Sequence, residues 1–401
     1  MQKKKIFTVL LFAATATTFT ACQKNLDSVI PSASPVSSNS DLISEKGQNP
    51  DEQIFNLDEK LLGPDGGFVY TESNDSVQNE ILIFIQEPSG SLTPMGTVAS
   101  GGAGTGAGLG SQGAVILDNT HNWLYAVNAG SNSISSFKVE SDGSLMLAHT
   151  ADSEGESPIS LTVNESVLYV VNAGSDNIAG FSISAGGMLT HIDGSHQQLS
   201  TSEAGPAQVS FSPNGNYLYV TEKATSMITK FAVDGNGVAS PGSSSPSVGE
   251  TPFGFEFVRD QIMIVSNAAG GAEGAGSATA YSGINSGNLS DINGAVANNE
   301  GAPCWVATTQ YGRFVYVTNT ASNSISSYYI GMGGSLHLAV SPIASGAGPI
   351  DIVVSGNNYY AYTLNSADHT IGEYKRTPLG GLALNGTQSN LPAAAAGLAA
   401  F

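Results

Sequence analysis

The chain has 401 residues and a formal net charge of −20 at pH 7, from 33 acidic and 13 basic residues. A surface this acidic repels phosphate backbones, so nucleic acid is excluded as an expected partner. Charged residues make up only 11% of the chain and glycine contributes 48 residues, which is typical of a turn-rich β protein whose solvated faces carry small polar side chains.

Residues 1–22 have the pattern of an export signal. Three lysines precede an apolar stretch from Ile6 to Phe19, which at about 14 residues is too short to span a bilayer. Small residues then precede Cys22, and this arrangement resembles the lipidation site of bacterial lipoproteins. The resemblance implies an envelope protein held by lipid on Cys22, and Gln23 in place of aspartate favours the outer membrane. An ordinary secretory signal that contains this cysteine is the alternative.

Residues 23–55 are rich in Ser, Asn, Asp and Pro and show no periodicity. This composition predicts a flexible tether between the membrane and the folded domain. We expect residues 56–401 to form one domain, because a single repeat runs through them.

The repeat is a phrase of the type Asn-Ala-Gly-Ser-Asn-Ser-Ile-Ser-Ser-Phe, which stands at 128–137. Its seven copies begin at residues that lie 44 to 54 positions apart: Asn74, Asn128, Asn172, Glu222, Asn267, Asn319 and Asn365. This spacing is typical of propeller blades, each of which is one four-stranded sheet. The sequence therefore predicts an all-β, seven-bladed propeller with antiparallel blades.

The unit at 205–237 shows how a blade is built. A Pro-led strand, a Ser-Pro-Asn-Gly turn, two further strands and an Asp-Gly-Asn-Gly turn follow one another, and an outer strand comes next. Residues 391–401 resemble the first strand of such a unit with nothing after it, whereas the first unit has only a weak first strand. We therefore expect the C-terminal residues to supply the inner strand of the first blade and close the ring.

Two glycine-rich runs, at 101–113 and 268–276, interrupt the repeat. Neither fits a phosphate-binding loop, because no Lys-Ser or Lys-Thr pair and no helix follows. We expect both runs to cover one face of the ring.

The repeats resemble those of the seven-bladed lactonase superfamily, which includes bacterial 6-phosphogluconolactonase and carboxymuconate-cyclising enzymes. Leu-Tyr-Val-Thr at 218–221 and Tyr-Val-Thr-Asn at 316–319 are similar to the YVTN phrase that names the repeat. The segments 110–113, 251–255 and 304–306 are similar to phrases of the secreted branch. The resemblance implies a lactonase fold, and for its catalytic members a channel mouth with histidine, arginine and glutamate.

The third residue after the start of each unit is expected to point near the central channel. These channel-lining positions are Ser160, Gln208, Gly254, Trp305 and Asp351, with Ala114 by looser alignment. Gln208 stands where the resemblance leads us to expect histidine. This departure weakens the lactonase prediction, because lactone hydrolysis needs a base and a group that stabilises the oxyanion.

Asp351 and Glu256 are the candidate catalytic residues. A carboxylate in a narrow, partly dry channel can have a raised pKa and act as a base. The alternative for Asp351 is a structural carboxylate that binds backbone amides of an adjacent blade, and Glu256 has a similar structural alternative.

We predict an envelope-anchored, lactonase-like propeller that acts as a binding or scaffolding module. Its channel face would take a small molecule or an envelope protein, and lactone hydrolysis with carboxylates such as Asp351 is the alternative. The six histidines are dispersed and show no metal-ligand spacing, so no metal is expected. No cofactor is predicted either, and the protein is expected to be a monomer.

Overall fold

The computed structural model of the protein describes residues 66–401. The export signal, Cys22, the tether at 23–55 and the first ten residues of the predicted domain lie outside the described residues. Within the described part of the chain, no helix is long and apolar enough to span a membrane.

The described residues form seven antiparallel sheets, and these are the blades of the predicted propeller. Blade 1 contains β1 (Gly67–Glu72), β2 (Glu80–Gln86), β3 (Leu92–Ala99) and the C-terminal β29 (Ala396–Ala400). Blade 2 contains β4 (Val115–Leu117), β5 (Trp123–Asn128), β6 (Ser133–Val139) and β7 (Leu145–Asp152). Blade 3 contains β8 (Pro158–Asn164), β9 (Val167–Asn172), β10 (Asn177–Ile183), β11 (Leu189–His191) and β12 (Gln197–Gln198). Both β11 and β12 pair with β10, so the outer strand of this blade is divided into two pieces.

The other four blades have four strands each. Blade 4 contains β13 (Pro206–Phe211), β14 (Tyr217–Glu222), β15 (Met227–Ala232) and β16 (Ser243–Pro246). Blade 5 contains β17 (Pro252–Val258), β18 (Ile262–Asn267), β19 (Ser277–Ser282) and β20 (Ser290–Ala297). Blade 6 contains β21 (Pro303–Thr308), β22 (Phe314–Asn319), β23 (Ser324–Ile330) and β24 (Leu336–Ala344). Blade 7 contains β25 (Pro349–Val354), β26 (Tyr360–Asn365), β27 (Thr370–Arg376) and β28 (Leu382–Gln388). Two 3₁₀ turns, Ala269–Gly271 and Thr320–Ser322, are the helical elements of the described residues.

The repeated phrase forms the turn between the second and third strands of a blade. In blade 6, the Nδ2 of Asn319 donates hydrogen bonds to Ser324 Oγ at 3.0 Å and Ser326 Oγ at 2.9 Å. Asn323, just before the third strand, has a φ of 52°, the left-handed conformation that asparagine tolerates well. The repeated polar residues therefore form the hydrogen bonds of the turn, and the β-branched and aromatic residues beside them pack between blades.

The predicted ring closure is confirmed. β29 pairs with β1 in antiparallel register, with Ala400 opposite Val69 and Ala399 opposite Tyr70. Phe68 and Phe401 exchange two backbone hydrogen bonds of 3.0 and 3.1 Å beyond the strand. The strand begins at Ala396 and is thus shorter than the predicted segment 391–401. The first and last strands of residues 66–401 therefore share blade 1, so the inner edge of β1 is paired.

Candidate functional site

The inner strands of all seven blades surround one cavity of about 490 Å³. Its lining includes residues of β4, β8, β13, β17, β21, β25 and β29, so the cavity lies on the axis of the ring. A volume of roughly 300–1,000 Å³ is typical of sites that bind small molecules. The central channel is therefore large enough for a ligand of the size of a sugar.

The two ends of the cavity differ. Gln112 and Gly113 lie at the end where the inner strands begin. At the other end the cavity is bordered by Asp118, Asn119 and His121, which follow β4 and which we call the mouth. Asn119 and His121 are exposed, so solvent reaches the cavity from this end.

Glu256 lies on β17 and lines the cavity, with part of its side chain exposed to it. Its Oε1 accepts a hydrogen bond of 3.2 Å from the Nε2 of Gln112. Burial raises the pKa of Glu256 to about 7, although the hydrogen bonds from Gln112 and the amide of Phe257 act in the opposite direction. A carboxyl with this pKa changes protonation near neutral pH, which suits a general base.

Asp351 also lines the cavity, but it is 3% exposed and both its oxygens are engaged. Oδ1 accepts a hydrogen bond from the amide of Ile352 at 2.8 Å, and Oδ2 accepts one from the amide of Leu398 at 2.9 Å. Burial raises the pKa of Asp351 well above its usual range, and the nearby charge of Glu256 adds to this effect. Because Leu398 belongs to β29, this side chain joins blade 7 to blade 1.

Ser160 and Gln208 form similar joints between other blades. The hydroxyl of Ser160 accepts a hydrogen bond from the amide of Val209, 3.1 Å away on the next inner strand. The amide group of Gln208 exchanges two hydrogen bonds with the backbone of Phe255, of 2.7 and 3.0 Å. Both side chains therefore satisfy backbone groups of the neighbouring blade.

Gly254 has no side chain that could bond the backbone of the neighbouring blade, and the side chain of Gln112 forms these hydrogen bonds instead. A β-carbon at residue 254 would lie 2.1 Å from Gln112 Oε1. That oxygen accepts a hydrogen bond of 2.9 Å from the amide of Val306, and Gln112 Nε2 donates one of 2.8 Å to the carbonyl of Val306. The glycine thus makes room for a side chain from a distant part of the chain.

Trp305 is buried and packs against Phe253, with ring centroids 4.7 Å apart. Its Nε1 donates a hydrogen bond of 2.8 Å to the carbonyl of Ser111. Of the sequence-predicted positions, Gln208, Glu256 and Asp351 are brought together around the cavity, whereas Ser160, Gly254 and Trp305 are not among its lining residues. Ala114, the loosely aligned position, is buried before β4.

Sequence reasoning missed the site role of Gln112 and of the mouth. The sequence indicated Gln112 only as part of the segment 110–113, which is similar to a phrase of the secreted branch. Its partners Glu256 and Val306 lie 144 and 194 residues away. No local pattern reveals such contacts.

The cavity is acidic. Asp118, Glu256 and Asp351 are among its lining residues, and neither lysine nor arginine is. Within residues 66–401, no group of three or more histidine, cysteine or acidic side chains could hold a metal ion. An uncharged ligand therefore suits this cavity better than an anion.

The family model described as "Lactonase, 7-bladed beta-propeller" matches residues 61–200 and 189–272, which is more than half of the chain. The chain belongs to this lactonase family. No curated protein matches it by sequence.

Solved structures show the same fold at low identity. A candidate 6-phosphogluconolactonase from Bacteroides fragilis is 18% identical with a TM-score of 0.68, over 82% of this chain and 97% of that one. The periplasmic gluconolactonase of Pseudomonas aeruginosa is 15% identical with a TM-score of 0.67, over 83% of this chain and 99% of that one. A protein from Lactobacillus plantarum is 18% identical with a TM-score of 0.68, over 83% and 98% of the two chains. At these identities the similarity establishes the fold alone.

Proposed function

We propose that the propeller is a binding module whose central cavity takes an uncharged, hydroxyl-bearing small molecule, with Glu256 as its main polar contact. The supporting observation is a partly exposed carboxyl in an axial cavity of about 490 Å³ that is open at the mouth. Asp351 accepts hydrogen bonds from backbone amides, and so does Asp118, from Asn122 and Trp123, so Glu256 is the lining carboxyl best placed to meet a ligand.

The charge of the lining narrows the ligand class. Phosphate groups are commonly bound in proteins by the charged side chains of arginine and lysine. The residues that line this cavity include acids and no lysine or arginine, so a phosphorylated lactone would meet no cationic side chain there and would be repelled by the acids that are ionised. A neutral sugar or sugar lactone meets no such penalty, and its hydroxyls can donate to Glu256.

Lactone hydrolysis is the second candidate function, favoured by family membership and by a pKa of about 7 for Glu256. The Glu256 carboxylate would take a proton from water while the water oxygen attacks the lactone carbonyl carbon. The ring C–O bond then breaks, and the proton passes from Glu256 to the departing oxygen. Thr162 lines the cavity and accepts the amide hydrogen of Phe211 at 3.0 Å, so its own hydroxyl hydrogen can meet the developing oxyanion.

One experiment separates the two candidates. The purified protein is titrated calorimetrically with gluconolactone, gluconate and 6-phosphogluconate, and lactone opening is followed by pH-stat. Glu256→Gln is compared with Glu250→Gln, which makes the same change at an exposed residue. Binding without turnover supports the binding module, and turnover lost only in Glu256→Gln supports hydrolysis. Tighter binding of the phosphorylated compound, or results unchanged by Glu256→Gln, would reject the assignment of this site.

A further inference from the structure

The glycine-rich segment after blade 1 crosses the centre of the ring. Within residues 110–112, Gly110 accepts a hydrogen bond of 2.6 Å from Lys223 of blade 4, and Ser111 Oγ donates one of 2.8 Å to Ile159 of blade 3. Three residues span only about 10 Å even when fully extended. A stretch this short can contact several blades only where their inner strands converge, which is at the channel axis.

The segment also reaches the opposite side of the ring. It leads into β4 of blade 2, yet Gln112 is bonded to Val306 and Ser111 to Trp305, both on β21 of blade 6. Gln112 donates its backbone amide to Ala207 of blade 4 at 3.1 Å. Trp305 and Ala207 lie in the first halves of their inner strands, so the segment sits over the end of the channel opposite the mouth. The side chain of Gln112 reaches further along the channel, to Val306 in the second half of β21.

Packing holds the segment in this position. Leu109 packs against the apolar clusters of blades 2, 3 and 4. The ammonium of Lys223 lies 5.1 Å from the ring centroid of Phe253, and burial lowers the pKa of this lysine to about 8. Gly254 leaves the space that Gln112 Oε1 occupies. Leu109 and Lys223 therefore hold the segment, and the space at Gly254 together with the hydrogen bonds to Val306 holds the side chain of Gln112.

We propose that residues 109–113 form a plug that closes the channel at the end where the inner strands begin, and that Gln112 on this plug is a positioning residue for Glu256. A ligand would then enter and leave by the mouth alone. One Nε2 group donates both to the carbonyl of Val306 at 2.8 Å and to Glu256 Oε1 at 3.2 Å. The plug thus fixes the carboxyl in the cavity and stabilises its ionised form. The inference rests on the proposed role of Glu256, but its test does not need a ligand.

The test is an NMR titration of the Glu256 carboxyl carbon in the full protein labelled with ¹³C-glutamate, with Glu256→Gln to assign the signal. Gln112→Met keeps the length of the side chain and removes its hydrogen bonds. We expect it to move the Glu256 titration to higher pH, because the ionised carboxylate loses a donor while its burial remains. Ser111→Ala, which removes a plug contact that does not involve Glu256, is expected to leave the titration in place.

An unshifted Glu256 titration in folded Gln112→Met would overturn the positioning role. If that variant does not fold, Gln112→Asn takes its place, since its shorter amide cannot reach Glu256 and Val306 together. An unshifted Glu256 titration in Gln112→Asn would likewise overturn the positioning role. A shifted titration in a protein that neither binds nor opens lactones would retain the positioning role of Gln112 and reject the proposed function. A shift in Ser111→Ala as large as that in Gln112→Met would show a general loosening and also overturn the specific role.

Discussion

Deletion of residues 396–401 should open the propeller ring. The deletion removes β29 and leaves the inner edge of β1 unpaired. It also removes Phe401, whose ring lies 5.5 Å from that of Phe68 and 6.2 Å from that of Tyr70. Because β29 is the strand that pairs with the inner edge of β1, no other strand of residues 66–401 replaces these contacts.

The size of the effect follows from the contacts that are lost. Burial of Leu398 contributes about 2 kcal/mol, and the two ring contacts of Phe401 about 1–3 kcal/mol. The two backbone hydrogen bonds between Phe68 and Phe401 add about 2 kcal/mol. Asp351 loses the amide of Leu398 and keeps a buried oxygen without a partner, which costs about 1–3 kcal/mol. The total of about 6–10 kcal/mol is a large part of the roughly 5–15 kcal/mol that stabilises a typical protein.

The assay is thermal unfolding followed by circular dichroism. At roughly 2 °C per kcal/mol for a large domain, the melting temperature should fall by at least about 10 °C. A synthetic peptide of residues 391–401 should restore part of the loss in a concentration-dependent manner, since it binds only the folded ring. A truncated protein that melts within a few degrees of the full chain would refute the reasoning that β29 holds the ring closed.

Three further predictions concern single positions. Burial raises the pKa of Glu256 from 4.5 to about 7. The free energy of unfolding therefore falls as pH rises through this range, and the loss is complete above pH 7. Glu256→Gln should therefore be more stable than wild type at pH 8 by about 1–3 kcal/mol and nearly equal to it at pH 4, and equal differences in urea unfolding at both pH values would contradict this. Gly254→Ala should cost about 1–3 kcal/mol because its β-carbon would lie 2.1 Å from Gln112, whereas Gly235→Ala, with no atom within 4 Å of the added carbon, serves as the control for melting temperature. Cys22→Ser should abolish incorporation of labelled palmitate and release the protein from the membrane fraction, and labelling that persists would exclude Cys22 as the lipidation site.

The blades could be predicted from the sequence because the information that builds them is local. The strand, turn and capping residues of a unit lie within about 50 residues of one another, and Asn319 with its partners Ser324 and Ser326 spans only eight positions. Each such turn is satisfied mostly by its own residues, so comparison of the copies was enough to predict seven blades. The closing strand was predictable because an incomplete unit stands at each end of the repeat region.

The site could be predicted only in part. The spacing of the repeats predicted that Gln208 and Asp351 lie near the channel and indicated Glu256 as a second candidate carboxylate, and all three line the cavity. It could not show that Gln208 and Asp351 are engaged with backbone amides of the next blade, whereas Glu256 stays partly exposed to the cavity. Whether a channel carboxyl is structural or available depends on neighbours from other blades, and these neighbours have no fixed spacing in the sequence.

The sequence by itself thus determined the architecture, and the tertiary structure decided the chemistry of the channel. The sequence of the glycine-rich run 101–113 predicts only a loop over one face of the ring, yet the closed ring brings Gln112 to Glu256 across 144 residues. Turn and strand preferences act between near neighbours, whereas the burial and hydrogen bonding that set the pKa of Glu256 arise only after seven inner strands converge on one axis.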